Sequence, residues 1–215
     1  MEWRPPADPP VQFVAYVPAV EFFVYCRDRP DTAQLRDTLV EAHWSFMDRY
    51  ADRMIARGPT LTEDGSVATG SLHIVDLPDR AAATEFAFDE PNFLAGVYEE
   101  VLIRRWRSEL DRTVADFAGD PRRNRRFLIL AHGGPEPAAY HAEDEGSAIG
   151  ADHPDRLIVS GSLWSDDETT WFGTASIVEV PARAAVQDLI ATDPGVCAGR
   201  YASVEVNPWE VGGRR

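Results

Sequence analysis

Two short stretches of this sequence carry an acidic residue before a proline and continue with the same spacing. FDEPNFLAGVYEEV contains Glu90, and ATDPGVCAGRYASV contains Asp193; in both, three residues, Ala-Gly, one more residue and a tyrosine follow the proline. A carboxylate can orient a histidine and stabilise its charged form, which is an arrangement suited to proton transfer. An acid before proline can equally close a turn at a helix end, so a purely structural role stays open for both residues.

His43 is the histidine whose position best suits such chemistry. It lies between Leu39 and Phe46 on the apolar face of a predicted amphipathic helix. Imidazole exchanges protons readily near neutral pH and is the commonest general acid or base. A partly buried histidine bonded to a backbone or side-chain acceptor would give the same pattern. His43 and Glu90 are therefore candidate catalytic residues, with a structural alternative for each.

Three further residues are candidate binding residues. Tyr98 and Tyr201 begin the strands predicted after the two acid-proline segments, and Asp193 is the acid of the second segment. The presence of a tyrosine at the same position in both segments favours a packing role, although a tyrosine hydroxyl can also orient a ligand oxygen. The sequence has no HxxxH, HxH or CxxC spacing and no phosphate-binding glycine loop. We therefore predict no metal site and no cofactor.

The sequence repeats itself with an offset of 103 residues. Residues 58–107 align without a gap to residues 161–210, with 15 identities in 50 positions. Unrelated sequences of average composition would share roughly 3. The period is far longer than that of a solenoid, so the chain is predicted to be a duplicated small domain.

Each copy is predicted to contain a strand, a helix, a hairpin, a second helix and a last strand. In the first copy these are a strand at 21–26, a helix from 32 to about 57, a strand-turn-strand unit at 58–77, a helix starting at Pro78 and a strand at 99–107; the second copy starts with a strand at 125–132 and a weaker helix at about 138–149. The order βαββαβ is that of a ferredoxin-like unit. Its sheet has helices on one face only, so the other face needs a cover. We predict an α+β fold in which two tandem ferredoxin-like units form a barrel-like core within one chain.

The predicted organisation has four parts. A Pro-rich N-terminal arm spans 1–19, the first repeat 20–107, a linker 108–124 and a degenerate second repeat 125–210. Alternating apolar residues in the arm could add a strand to a sheet edge of its own or a neighbouring chain. The start of the linker could extend as a helix.

The first repeat resembles the YCII-related family, which is part of the dimeric α/β-barrel group. The residues that carry the resemblance are the long helix with His43, RGPTL, the hairpin, the LPD helix start and EPNFLAGVYEEV. It covers about residues 20–107 well and the second repeat less completely. Members typically have one domain and pair as homodimers, so the resemblance implies that this duplicated chain makes the pairing within itself. Relatives in the group include isomerases and a dehydrochlorinase that acts on small muconate-type acids.

The resemblance also implies roles for particular residues. The family places a histidine on the first helix and an acid before the proline, and the two are proposed to form a pair in a pocket. His43 and Glu90 match these positions, although the family prefers Asp to Glu. Asp193 is the preferred acid in the second repeat, but no histidine stands at the matching position near 146–148. At most one complete pair is implied, and whether Glu90 or Asp193 pairs with His43 stays open.

Charge and composition disfavour some classes of binding partner. The 215-residue chain has a formal net charge of −15 at pH 7 and is 44% hydrophobic. Such an acidic surface repels nucleic-acid phosphates and anionic lipid, and the sequence has no apolar run of about 18 residues. The N-terminus is too proline-rich for a secretory signal, so a cytoplasmic location is predicted. A small-molecule ligand is predicted, and pairing of two chains into a homodimer stays open.

Two functions are compatible with these observations. The leading interpretation is a cofactor-independent isomerase or lyase that transfers a proton on a small carboxylated or aromatic molecule, with His43 and Glu90 as the reacting pair. The alternative is a non-catalytic small-molecule-binding or assembly protein with a vestigial pocket. The sequence does not decide whether the protein is an enzyme.

Overall fold

The computed structural model describes residues 20–134 and 148–214. The N-terminal arm and most of the helix predicted at about 138–149 lie outside the described residues. The described strands are β1 (Val20–Asp28), β2 (Met54–Leu61), β3 (Ala68–Leu77), β4 (Tyr98–Ser108), β5 (Arg125–Gly133), β6 (Leu157–Trp164), β7 (Trp171–Val180) and β8 (Tyr201–Trp209). The described helices are α1 (Ala33–Met47), α2 (Arg80–Phe88), α3 (Pro91–Leu94), α4 (Arg183–Thr192) and α5 (Pro194–Cys197), with short 3-10 turns at Asp48–Arg53 and Val114–Asp116.

The eight strands close into one antiparallel barrel in the order β1, β3, β2, β8, β5, β7, β6, β4. In each repeat the hairpin's second strand pairs with the first strand of that repeat, β3 with β1 and β7 with β5. The repeats meet at two seams. Strands β4 and β6 pair over four positions, whereas β2 and β8 pair only at Thr60 and Trp209. The prediction of two tandem ferredoxin-like units in an intramolecular dimeric α/β-barrel arrangement is confirmed.

Alternation along each strand separates an inner layer from two outer layers. In β1, Phe23 and Tyr25 point into the barrel, whereas Phe22, Val24 and Cys26 pack beneath the helices of the first repeat. Aliphatic and aromatic side chains of both repeats fill the barrel interior. The interior is therefore the main hydrophobic core, and α4 and α5 cover a separate layer on the second repeat.

One end of the barrel carries an ion-pair cluster instead of apolar side chains. Arg27 and His132 continue the inward-facing rows of β1 and β5. Both reach Glu205 on β8: an Arg27 Nη2 to carboxylate distance is 2.8 Å, and His132 Nε2 lies 2.7 Å from Glu205 Oε1. Arg27 also pairs with Glu100 at 2.8 Å. Charged side chains from both repeats therefore meet at this end.

The predicted long helix of the first repeat ends earlier than expected. Sequence periodicity extended it to about residue 57, but α1 ends at Met47 and residues from Met54 onward belong to β2. Ala56 and Arg57 pair with Ile74 and His73 of β3. Short apolar stretches fit helix and strand periods alike, and here pairing with β3 decides the conformation. The linker is likewise not α-helical among the described residues and contains only short turns, among them the 3-10 turn Val114–Asp116.

The helices cover the first repeat unevenly. At the end of α1, Phe46 and Met47 are buried, while the earlier turns are exposed or only half-buried. This leaves space between the first turns of α1 and the sheet. Among the described residues, none of the helices is long and apolar enough to cross a bilayer.

Candidate functional site

A cavity of about 470 Å³ lies outside the barrel, between α1 and the outer face of β2 and β3. Ser71 and His73 of β3 line it because they alternate with Leu72 and Ile74, which point into the barrel. The side chains from α1 are Arg36, Val40, His43, Trp44 and Met47. The cavity therefore combines an apolar wall with basic and hydrogen-bonding groups, the usual composition of a small-molecule site.

His43 and Glu90 form a hydrogen bond at the edge of this cavity. His43 Nδ1 lies 3.0 Å from Glu90 Oε2, and the side chains are 13% and 2% exposed. With Glu90 ionised, its oxygen can only accept and Nδ1 is the donor; in a neutral ring the lone pair is then on Nε2. Within the described ranges, Nε2 has no hydrogen-bond partner. The ring is thus oriented by Glu90 and has a basic nitrogen free for a molecule in the cavity.

Glu90 also caps helix α3, and this fixes the position of its carboxylate. Its Oε2 accepts a hydrogen bond from Asn92 N at 3.1 Å, and its Oε1 accepts one from Phe93 N at 3.1 Å. Pro91 occupies the first helical position, where a missing N–H costs nothing. The acid before the proline is therefore both a helix cap and the partner of His43.

Asp193 also caps a helix, but none of the described histidines contacts it. Its Oδ1 accepts a hydrogen bond from Val196 N at 3.0 Å at the start of α5. Of the positions near 146–148 that match His43, only Ala148 is described, and no histidine in the described part of the chain contacts Asp193. The sequence left open which acid pairs with His43; in the structure it is Glu90.

The space beside α5 also differs from the cavity in the first repeat. Ala68, which lines the cavity, corresponds in the repeat to Trp171. The Trp171 ring lies 5.8 Å from the ring of Tyr201, and a side chain on Gly133 would contact it. A bulky aromatic group thus stands in the second repeat where the first keeps a methyl group and open space.

The two tyrosines predicted to bind a ligand, Tyr98 and Tyr201, form hydrogen bonds with neighbouring side chains. Tyr98 is 4% exposed; its hydroxyl donates to Ser71 Oγ at 3.1 Å and accepts from Asn92 Nδ2 at 3.2 Å. Burial, followed by the charge of Glu90, raises the pKa of Tyr98 well above its usual value, so the hydroxyl keeps its hydrogen. Tyr201 accepts a hydrogen bond from Thr174 Oγ1 at 3.2 Å. Tyr98 therefore reaches the cavity wall through Ser71 and Asn92.

Sequence reasoning did not select Arg36 or Ser71. Arg36 donates to Asp28 at 2.9 Å and to Ser71 Oγ at 2.7 Å. Because Ser71 Oγ accepts from both Arg36 and Tyr98, its own hydrogen is available to an acceptor in the cavity. Arg36 stands seven residues before His43, two helical turns away on the same face, and this spacing was the signal that could have found it.

His73 of β3 also lines the cavity, next to His43. Its ring centroid lies 5.9 Å from that of His43, and the residue is 3% exposed. Burial first, and then the charges of nearby basic side chains, hold the pKa of His73 well below its ordinary value. His73 is therefore a neutral ring at the cavity floor.

Among residues 20–134 and 148–214, no group of three or more His, Cys, Asp or Glu side chains is close enough to hold a metal ion.

Comparison with protein-family models matches residues 20–107 to the YCII-related domain. No curated protein matches the chain. One similar solved structure is 5-chloro-2-hydroxyhydroquinone dehydrochlorinase from Burkholderia phenoliruptrix AC1100 in complex with 2,5-dihydroxybenzoquinone. It is 26% identical over 40% of this chain and 93% of that one, with a TM-score of 0.39.

Two other solved structures resemble nearly the whole chain. A variant of chlorite dismutase from Candidatus Nitrospira defluvii is 10% identical over 88% of this chain and 91% of that one, with a TM-score of 0.56. An anthrone oxidase-like protein is 10% identical over 92% of both chains, with a TM-score of 0.52. At such identities the likeness shows the shared barrel fold alone.

Proposed function

Because residues 20–107 are a YCII-related domain whose cavity contains a histidine–carboxylate pair, we propose that this chain is a cofactor-independent enzyme that moves a proton on a small molecule. The supporting observation is the 3.0 Å bond between His43 Nδ1 and Glu90 Oε2, which leaves Nε2 without a bond among the described residues in a ring that lines the cavity. The small-molecule ligand is part of this proposal. Pairing of two chains, the absence of nucleic-acid partners and a cytoplasmic location stay predictions.

In the proposed reaction, His43 Nε2 removes a proton from a substrate carbon next to a carbonyl group. The electron pair of the broken C–H bond moves toward the carbonyl oxygen and gives an enolate. In an isomerisation His43 returns the proton at another carbon. In an elimination the electron pair forms a C=C bond as the leaving group departs from the adjacent carbon, and His43 releases its proton to that group or to water. Glu90 holds the ring orientation and balances the positive charge that His43 gains.

The enolate oxygen requires a hydrogen-bond donor, and Ser71 can supply it. Its hydroxyl accepts from Arg36 at 2.7 Å and from Tyr98 at 3.1 Å, which leaves one hydrogen for the substrate oxygen. A donor that is already positioned stabilises developing negative charge without reorganisation during the reaction. The apolar side chains of Val40, Trp44 and Met47 would contact the body of the substrate. A small carboxylated or aromatic carbonyl compound suits this combination.

A non-catalytic binding protein is the second candidate. The second repeat keeps the capping acid Asp193 without a described histidine partner, which supports a structural role for the acid-proline segment. A binding protein would use the same cavity and would leave the substrate unchanged. The two functions therefore differ in whether a bound molecule exchanges carbon-bound hydrogen.

The test follows hydrogen exchange on carbon. A panel of small aromatic and unsaturated carboxylic acids and ketones is incubated with the protein in D2O, and loss of C–H signals is followed by NMR. We expect exchange with the parent protein and a rate about 10² to 10⁴ times lower in His43→Asn, the range contributed by a general base. His132→Asn is the matched control, because His132 also bonds a carboxylate but lies outside the cavity. Saturable binding without exchange would favour the binding protein.

A further inference from the structure

The chain after β8 crosses from the second repeat onto the first. Glu210 N donates to Pro59 O at 3.2 Å, and Gly212 N donates to Arg57 O at 2.9 Å. These bonds extend the edge of β2 beyond its single pairing position with β8. We call residues 210–214 the crossing segment. Its backbone is fixed to the strand that carries one side of the cavity.

Glycines allow the crossing segment to lie close to β2. A side chain on Gly212 would stand 2.9 Å from Gly58 Cα. Gly213 has a φ of +112°, a conformation that disfavours other residues, and any side chain there would collide with the Arg57 guanidinium. The two glycines of the crossing segment are thus matched to this position.

Arg214 ties the segment to α1 on the opposite side of the cavity. Its guanidinium bonds Glu41 at 3.0 Å and Ser45 Oγ at 2.9 Å, and it also pairs with Asp48. The same group lies 6.0 Å from the ring of Trp44, which lines the cavity. The segment therefore reaches from β2 to α1.

Val211, Gly212 and Gly213 themselves line the cavity that contains His43. We propose that the crossing segment is one wall of the ligand site and determines which molecules reach His43. The second repeat, whose own acid lacks a described histidine partner, would thereby complete the site of the first. This inference rests on the proposed function only in taking the cavity as the ligand site, not on the proton-transfer step.

Accessibility of His43 tests the proposal without a known substrate. Diethyl pyrocarbonate transfers an ethoxycarbonyl group to an unprotonated imidazole nitrogen, and mass spectrometry of peptides gives the rate for each histidine. We expect Arg214→Ala to raise the rate at His43 on the order of threefold to tenfold, because the segment loses its bonds to Glu41, Ser45 and Asp48 and opens more often. The rise stays modest because exposed ion pairs are weak. The half-buried His153 should keep its rate and serves as the internal reference.

Two further variants make the result decisive. Gly213→Val should raise the His43 rate by a different route, since the β-branched valine disfavours a φ of +112° and would displace the Arg57 guanidinium. Arg123→Ala is the matched control, because its side chain is 86% exposed and lies on the linker. An unchanged His43 rate in both Arg214→Ala and Gly213→Val would overturn the proposal. A parallel rise at His153 would do so too, because it indicates general loosening. Failure of proton transfer would appear in the deuterium experiment and leave these rates unaffected.

Discussion

Glu90→Gln, compared with Asp193→Asn, separates the two tasks of the acid before the proline. The Glu90 carboxylate accepts three hydrogen bonds, from His43 Nδ1, Asn92 N and Phe93 N. Glutamine offers one acceptor oxygen, so its amide nitrogen must face at least one backbone N–H. Asp193→Asn keeps an acceptor for Val196 N, because Asn and Asp are equivalent helix caps.

The expected loss of stability follows from the number of hydrogen-bond acceptors that each variant keeps. A buried N–H without an acceptor costs about 1–3 kcal/mol, so Glu90→Gln should lower the free energy of unfolding by that amount. Asp193→Asn should cost less than about 1 kcal/mol, because the helix cap is retained. Only Glu90→Gln also removes the charge that faces His43. Its hydrogen-exchange activity should fall, whereas that of Asp193→Asn should not change.

Two measurements check the reasoning. Urea unfolding gives the stability difference between the variants, and nitrogen-15 NMR of the parent shows which ring nitrogen of His43 carries the hydrogen. We expect the hydrogen on Nδ1, as the carboxylate partner requires. A hydrogen on Nε2 with a bare Nδ1 would refute the arrangement. Equal stability of the two variants would refute the dual role of Glu90.

Two further predictions concern the barrel and the repeated turns. The hydrogen bond from His132, together with Arg27, lowers the pKa of Glu205 to about 2 from an ordinary 4.5; its stabilisation is therefore present above about pH 4.5 and is lost as the pH falls toward 2. Glu205→Gln should be less stable than the parent at neutral pH, with a gap that narrows over that range in urea unfolding, and a gap of constant size contradicts the prediction. Gly96 and Gly199 have φ values of +79° and +68° with open space around them, so alanine at either should cost about 1–2 kcal/mol of stability through backbone strain alone. Hydrogen exchange at the His43 site should not change in these alanine variants, and a stability loss near zero would show that the turns tolerate another conformation.

The duplication made the fold predictable from one sequence. Each copy constrains the interpretation of the other, and the one-sided sheet of each requires a partner, which leads directly to the barrel. The pair of His43 with Glu90 was also within reach, because the acid-proline segment and the helix histidine are both visible in the sequence.

Other features depend on contacts that no local pattern carries. The end of α1 was predicted too late because the residues before Gly58 suit a strand only once β3 lies beside them. The face of His73 could not be assigned, since both sides of β3 are buried. The crossing segment was missed because Gly212 and Arg57 are far apart in sequence and the glycine-rich stretch has no periodicity.

The unequal seams of the barrel have a consequence for the order in which the molecule folds. Pairing within each repeat and across β4 and β6 joins strands that are closer in sequence than β2 and β8, whose contact links Thr60 to Trp209. The longer loop costs more chain entropy to close, and the seam that closes it is short. We therefore expect this seam to form last and to open first. Because the crossing segment bonds the same strand, completion of the barrel and completion of the cavity wall become a single folding event.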